Sequence, residues 1–207
     1  MSISSKIKQH LPHDELSVKL WEEDKLKPDI REQLLEISDA FIEYLGISID
    51  VIDVTFTGSY ANFNYTPYSD IDLHIIVDPE SINKDIDLVE EFLKAKRQFW
   101  NDRHDIRVLN IEVELYAQDV NEEHASSGVY SVKNDEWINK PNKFRGEFDG
   151  RNVTRKVKYF KRQISMEIEE AKINRDTADL EKIMKKIRDM RQSGLEKGGE
   201  MSDGIII

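Results

Sequence analysis

The chain has 207 residues, a formal net charge of −11 and no cysteine. Such acidity removes any general pull on nucleic acid, so contact with it would need a local basic patch, and the lack of thiols excludes a disulfide framework and thiolate chemistry. With 39% hydrophobic and 34% charged residues, no apolar run of transmembrane length and no secretory core in MSISSKIKQHLPHDEL, the sequence predicts a cytoplasmic globular protein rich in surface helix.

Residues 1–26 form an N-terminal segment in which Leu16, Leu20 and Trp21 are candidates to pack on the domain. A helix is predicted from Lys27-Pro28, where proline's missing N–H is harmless. Ile30, Leu34, Ile37, Phe41 and Leu45 follow helical spacing and Gly46 reads as the C-cap. Residues 47–56 then read as a strand, ending at Thr57-Gly58-Ser59.

The stretch that follows carries the chemistry. It runs GSYANFNYTPYSDIDLHIIVD over residues 58–78. Asp70 and Asp72 stand at i and i+2 of a predicted strand, so both project from one face while Ile71 and Leu73 project from the other. Two adjacent carboxylates repel unless a cation lies between them. A hard divalent ion, Mg²⁺ or Mn²⁺, suits oxygen ligands. Upstream, Gly58 lets the backbone approach a phosphate closely, and Ser59 offers a hydroxyl and an N–H to phosphate oxygens. His74 shares the strand face of the acids, either as a partner of Asp72 or as a structural residue. His10, His13, His104 and His124 are too scattered for a zinc site.

Gly58-Ser59, a ten-residue spacer and then Asp70-Ile71-Asp72 in a hydrophobic strand resemble the signature of the DNA polymerase β-like nucleotidyltransferase superfamily. The wording from Thr57 to Tyr60 and from Tyr68 to Asp70 also resembles small nucleotidyltransferases of tailed phages. The resemblance implies an α/β (α+β) fold: a small mixed-sheet core flanked by helices, here with a C-terminal helical hairpin. It implies transfer of a nucleoside monophosphate from an NTP to an acceptor, with release of pyrophosphate. The acceptors known in the superfamily include RNA ends, small molecules and proteins. It also implies a third metal-binding carboxylate from a neighbouring strand.

Downstream, residues 86–100 predict a helix with Leu88, Val89, Phe92, Leu93 and Phe99 on its apolar side. Residues 106–109 are a short apolar stretch. Residues 110–118, NIEVELYAQ, alternate cleanly, with Ile111, Val113 and Leu115 on one face and Glu112, Glu114 and Tyr116 on the other. Glu114 is the preferred third carboxylate, and spacing leaves Glu112 open.

Residues 119–150 read as a long ordered loop with short strands. Ser126-Ser127-Gly128 is a plain turn or a phosphate contact. Tyr130 and Trp137 are either base-stacking or core residues. From Arg151 a helical hairpin is predicted. Its first helix carries Val153, Val157, Phe160, Ile164 and Ile168, its turn lies at Asn174-Arg175-Asp176, and its second helix carries Leu180, Ile183, Ile187 and Met190 and ends at Ser193-Gly194. Arg151, Arg155, Lys158 and Arg162 make a basic row on it, reaching a triphosphate or an acceptor, or simply solvated. Ile205, Ile206 and Ile207 read as an element cut short.

The expected boundaries are therefore an N-terminal segment 1–26, a catalytic core 27–120, a loop region 121–150, the hairpin 151–195 and a flexible tail 196–207. Two alternatives to a free-standing enzyme are a non-catalytic nucleotide- or partner-binding module on the same fold and a toxin-type nucleotidyltransferase.

Overall fold

The computed structural model describes residues 12–122, 124, 126–143, 150–174 and 177–198. They fall into two compact units, one spanning His13–Lys143 and one holding the two C-terminal helices.

The first unit is built on a six-stranded mixed sheet. A small hairpin, β1 (Trp21–Glu22) and β2 (Lys25–Leu26), precedes helix α1 (Pro28–Leu45). Pro28 sits in the first turn of α1, and Gly46 closes it in the left-handed conformation, φ 70° and ψ 19°, as the sequence predicts. Next come β3 (Val51–Thr57), a 3₁₀ turn at Ser59–Ala61 and β4 (Ile71–Val77). A short helix α2 (Pro79–Ile82) leads to α3 (Ile86–Arg103), β5 (Arg107–Val108) and β6 (Ile111–Asp119). Two further strands, β7 (Val129–Ser131) and β8 (Glu136–Asn139), complete the sheet in the order β5-β6-β4-β3-β7-β8.

Strand β3 runs antiparallel to β4, but β6 runs parallel to it. A parallel neighbour requires a crossover, and α3 supplies it. The alternation read from the sequence divides the sheet into two faces. Val54, Phe56, Ile71, Leu73, Ile75, Val113 and Leu115 are buried in one core with Leu34, Phe41, Val89, Leu93 and Trp100 of α1 and α3. The opposite face carries Thr57, Asp72, His74, Glu114 and Tyr116.

Two expectations about this unit are corrected. The first strand begins at Val51, since residues 47–50 pair with nothing in the sheet. The buried side of α3 is Val89, Leu93 and Trp100, whereas Leu88 and Phe99 are 57% and 55% exposed. Trp100 takes the core position because its indole meets Phe41 edge-on, ring centroids 5.5 Å apart. Tyr130 and Trp137, left open between base stacking and core packing, both pack within the fold: Tyr130 is fully buried and Trp137 stacks one face on Trp21 at 4.8 Å.

The residues around β7 and β8 hold the N-terminal segment in place. Arg31 donates from Nε to the Val132 carbonyl and from Nη2 to the Lys133 carbonyl, each at 2.7 Å. Asp135 accepts from the Tyr130 phenol at 2.6 Å and from Lys25 at 2.9 Å. These bonds, the phenol first, hold its carboxyl below the usual aspartate range.

The second unit consists of α4 (Gly150–Asn174) and α5 (Ala178–Gly198), which pack on one another. The Lys186 ammonium stands 5.9 Å from the rings of both Tyr159 and Phe160. Helix α5 continues through Ser193-Gly194, which the sequence reading took as its end; a single helix-interior glycine costs only about 1 kcal/mol and does not stop a helix. Arg155, Lys158 and Arg162 are exposed on α4. The expected turn residues Arg175 and Asp176 and the terminal Ile205 to Ile207 lie outside the described residues. No described helix is long and apolar enough to cross a membrane.

Candidate active site

The site forms where β3, β4 and β6 lie side by side. The register sets Asp72 between Thr57 of β3 and Glu114 of β6. One residue pair deeper, His74 lies between Thr55 and Tyr116. Asp70 stands just ahead of β4, two residues from Asp72. The carboxylate oxygens of Asp70, Asp72 and Glu114 come within 4.8 Å of one another, and all three residues are half-buried. This is the sole such cluster of metal-ligating side chains among the described residues. An all-oxygen, all-anionic donor set with no thiolate or imidazole suits a hard divalent cation.

Glu112 is elsewhere. It pairs with Arg107 of the edge strand β5, at 3.7 Å from the Arg107 guanidinium, and its side chain is 64% exposed.

Gly58 sits directly against the acids. Its backbone has φ 75° and ψ −162°, a region open in practice to glycine alone. A Cβ there would overlap Oδ2 of Asp72 and stand 2.8 Å from its Cγ. Glycine is therefore required both by the backbone and by the carboxylate beside it. The sequence reading assigned Gly58 to the close approach of a phosphate; the close neighbour that the structure shows is Asp72. Ser59 follows as the first residue of the 3₁₀ turn and is half-buried.

The turn is braced by the loop that the sequence left undecided. The Gly58 N–H donates to Ser126 Oγ at 3.3 Å, and the Ser126 hydroxyl donates to the Gly128 carbonyl at 3.0 Å. Buried Asn62 donates from Nδ2 to Ser127 Oγ at 2.6 Å. Gly128 allows this contact, because a Cβ on it would overlap the Ala61 carbonyl. The Ser126-Ser127-Gly128 stretch is thus a structural support for the Gly58-Ser59 turn.

His74 lies beneath the acids and is bonded away from them. The Thr57 hydroxyl lies 3.0 Å from its Nε2, and Gln118 Oε1 lies 2.6 Å from its Nδ1. Gln118 uses its Nε2 to donate to the Glu122 carbonyl at 3.1 Å, which leaves Oε1 to accept. Nδ1 therefore carries the hydrogen, and Nε2 accepts from Thr57. Burial is the main cause that pushes the His74 imidazole down to about 4, against the opposing effect of the hydrogen bond it donates to Gln118. It is neutral at physiological pH, a structural residue in this arrangement.

Tyr116 stacks on His74, centroids 4.8 Å apart and planes 19° from parallel, and the Arg97 guanidinium lies 4.9 Å from the centre of its ring. Burial first, then the neighbouring Glu114 and Asp72 carboxylates, raise its phenol well above its usual range. Thr57, Tyr116, Gln118 and Arg97 were not singled out in the sequence. The i, i+2, i+4 spacing of Glu114, Tyr116 and Gln118 was the available signal for two of them.

The family model described as a nucleotidyltransferase domain matches residues 34–127. No curated protein gives a significant match. Among solved structures, a STING-associated CdnE c-di-GMP synthase from Capnocytophaga granulosa is similar at 15% identity and a TM-score of 0.25. That likeness covers 68% of this chain and 49% of the synthase, so the chain spans about half of its length. The matched segment contains the Gly58-Ser59 turn and all three carboxylates, Asp70, Asp72 and Glu114.

Proposed function

We propose that this nucleotidyltransferase-domain chain moves a nucleoside monophosphate from an NTP to an acceptor hydroxyl or phosphate and releases pyrophosphate. The observation that carries the reading is the convergence of Asp70, Asp72 and Glu114 against the Gly58-Ser59 turn. In this reading the catalytic core is residues 27–120, followed by the loop region 121–150, the hairpin 151–195 and the tail 196–207. The enzyme works in the cytoplasm, and the wording around Thr57 to Tyr60 and Tyr68 to Asp70 supports grouping it with the small phage-type members of the superfamily.

Asp70, Asp72 and Glu114 would hold Mg²⁺, or Mn²⁺ in its place. Such ions lower the pKa of an attacking hydroxyl and neutralise a triphosphate leaving group. The chain's own residues do the positioning. Ser59 donates its hydroxyl to a phosphate oxygen. Gly58 keeps the turn close to the carboxylates, and Ser126 and Ser127 hold that turn in place. The transition state of phosphoryl transfer spreads charge over oxygens and needs no nucleophilic side chain, which suits a site without cysteine or a serine–histidine pair. The acceptor is an RNA end, a small molecule or a protein.

Incubation of the purified chain with each labelled NTP and a cell extract tests the reading. Label is expected to pass to one class of acceptor, and the Asp70→Asn, Asp72→Asn double variant is expected to lose both transfer and Mg²⁺ or Mn²⁺ binding while keeping its fold. NTP binding without turnover in the parent would favour a non-catalytic module. Unchanged metal affinity in the double variant would overturn the carboxylate site.

A further inference from the structure

The C-terminal hairpin separates its charges lengthwise. Residues 150–162, the first half of α4, hold six lysines and arginines and no acid. In α5, residues 185–191 add Lys185, Lys186, Arg188 and Arg191 against Asp189 alone. The two stretches lie side by side, because the helices pack on one another and the Lys186 ammonium stands 5.9 Å from the rings of Tyr159 and Phe160. The other end is acidic, with Glu167, Glu169 and Glu170 late in α4 and Asp179 and Glu181 in the first turn of α5. Lysines there are paired, Lys172 with Glu169 at 2.9 Å and Lys182 with Asp179 at 2.6 Å. At the basic end Asp189 is taken up by Lys185 at 3.5 Å. Among the described residues no ion pair reaches Lys158, Arg162 or Lys186, and all three are exposed. Arg155, Lys158, Tyr159 and Arg162 follow i, i+3, i+4, i+7 spacing and share one side of α4. Phe160 is buried, but Tyr159 is 53% exposed, so ring surface is open beside these cations.

We infer that the basic end of this hairpin is a binding surface for single-stranded nucleic acid, with Arg155, Lys158, Arg162 and Lys186 facing the phosphates and Tyr159 stacking on a base. Like charges at this spacing repel, and a polyanion laid along them offsets the repulsion. In a chain of net charge −11 that attraction is confined to this end. The exposed aromatic selects a single strand, whose bases are free to stack, over a duplex. An anionic lipid surface fits less well: Met166 and Ile168, two of the hairpin's exposed apolar residues, stand among the glutamates of the other half, which such a surface repels. Joined to the transfer reading, the inference makes a nucleic-acid end the acceptor. That last step rests on transfer; the binding surface does not.

The test is fluorescence-anisotropy titration of short labelled single strands, RNA in one arm and DNA in the other, with the full chain. EDTA is present and NTP is absent, so failure of the transfer reading leaves the result untouched. Binding is expected in at least one arm, and the tighter arm names the ligand. Lys158→Gln with Arg162→Gln is expected to weaken it about tenfold or more and to flatten the plot of log affinity against log salt by about 1.4, since each phosphate contact on a single strand contributes roughly 0.7. Tyr159→Ala is expected to weaken binding about tenfold or more with the salt slope unchanged. Lys172→Gln with Lys182→Gln removes the same charge from the acidic end and is expected to leave affinity and slope near the parent's. Circular dichroism checks that each variant keeps its helices. No binding in either arm, a Lys158, Arg162 double variant that binds like the parent, or an equal loss in the Lys172, Lys182 control overturns the inference. A parent that prefers duplex, or a Tyr159→Ala variant that binds like it, overturns the single-strand assignment. Binding to phosphatidylserine vesicles with none to the oligonucleotides overturns the inference in favour of a lipid contact.

Discussion

Replacing Gly58 by alanine should disable the metal site while leaving most of the fold's stability. Two separate penalties meet at this residue. With φ 75° and ψ −162°, an alanine would occupy a region that costs roughly 1–3 kcal/mol for a residue with a Cβ. The new methyl would also overlap Oδ2 of Asp72 and lie 2.8 Å from Cγ and 3.3 Å from Cβ of the same side chain. The Asp72 backbone cannot retreat easily, because β4 is paired on both sides at this level, to Thr57 and to Glu114. The carboxylate must therefore turn aside, which removes it from the cluster with Asp70 and Glu114. A fall of about ten- to hundredfold in Mn²⁺ affinity is expected, the scale typical when a neighbour of a metal ligand is altered. Gly46→Ala is the control. Gly46 also has a positive φ, 70°, but a Cβ there meets nothing within 4 Å. That variant should lose about 1–2 kcal/mol of stability and bind metal normally. Chemical denaturation and Mn²⁺ titration of both variants separate the two effects. Normal Mn²⁺ binding by a folded Gly58→Ala protein would refute the reasoning.

Other outcomes follow from the same geometry. Glu114→Gln should reduce transfer by several orders of magnitude, while Glu112→Gln, which loses an exposed pair with Arg107, should change stability by less than about 1 kcal/mol and leave transfer nearly intact; the reverse ranking in a single-turnover assay would reassign the third acid. Ser59→Ala removes one hydrogen bond to a charged phosphate, worth roughly 1.5–3 kcal/mol, so NTP affinity measured by equilibrium binding should fall about ten- to hundredfold. The His74 imidazole is lowered to about 4 in the folded chain, against an ordinary value of about 6.5 when unfolded. The unfolded state therefore takes up its proton first, and this share of stability is full above about pH 6.5 and is lost as the pH falls towards 4, on the order of 3 kcal/mol in total. Urea unfolding of the metal-free chain across that window measures it; a folded-state imidazole titrating near 6.5 by NMR would refute it.

What could be read in the sequence was whatever local rules decide. Pro28 and Gly46 bound α1, because each acts through its own backbone angles. Alternation from Ile111 to Leu115 gave a strand, and it placed Glu112 and Glu114 on one face. It could not choose between them, because the parallel register that sets Glu114 across from Asp72 is a long-range pairing. The same limit left β7 and β8 as unplaced short strands within a long loop. Each is only three or four residues long, and they are held by partners far away in sequence, with Arg31, Trp21 and Lys25 among them. On α3 the apolar residues outnumbered the buried positions, so Leu88 and Phe99 were taken for core, and Trp100 was passed over. The support of the Gly58 turn by Ser126 and Asn62 left no periodic trace at all, since a loop-to-turn hydrogen bond has no spacing rule.

The parallel pairing of β4 with β6 has a thermodynamic consequence. Asp72 and Glu114 meet only after α3 has carried the chain across, so the unfolded chain holds no preformed site. Any divalent ion bound there binds the native state alone and draws the folding equilibrium with it. At a free concentration a hundred times its dissociation constant, such an ion adds about 2.7 kcal/mol to unfolding. Chelation would withdraw that contribution and leave the carboxylates facing one another uncompensated. The melting temperature of this chain is thus expected to report divalent-ion concentration, even when no nucleotide is present.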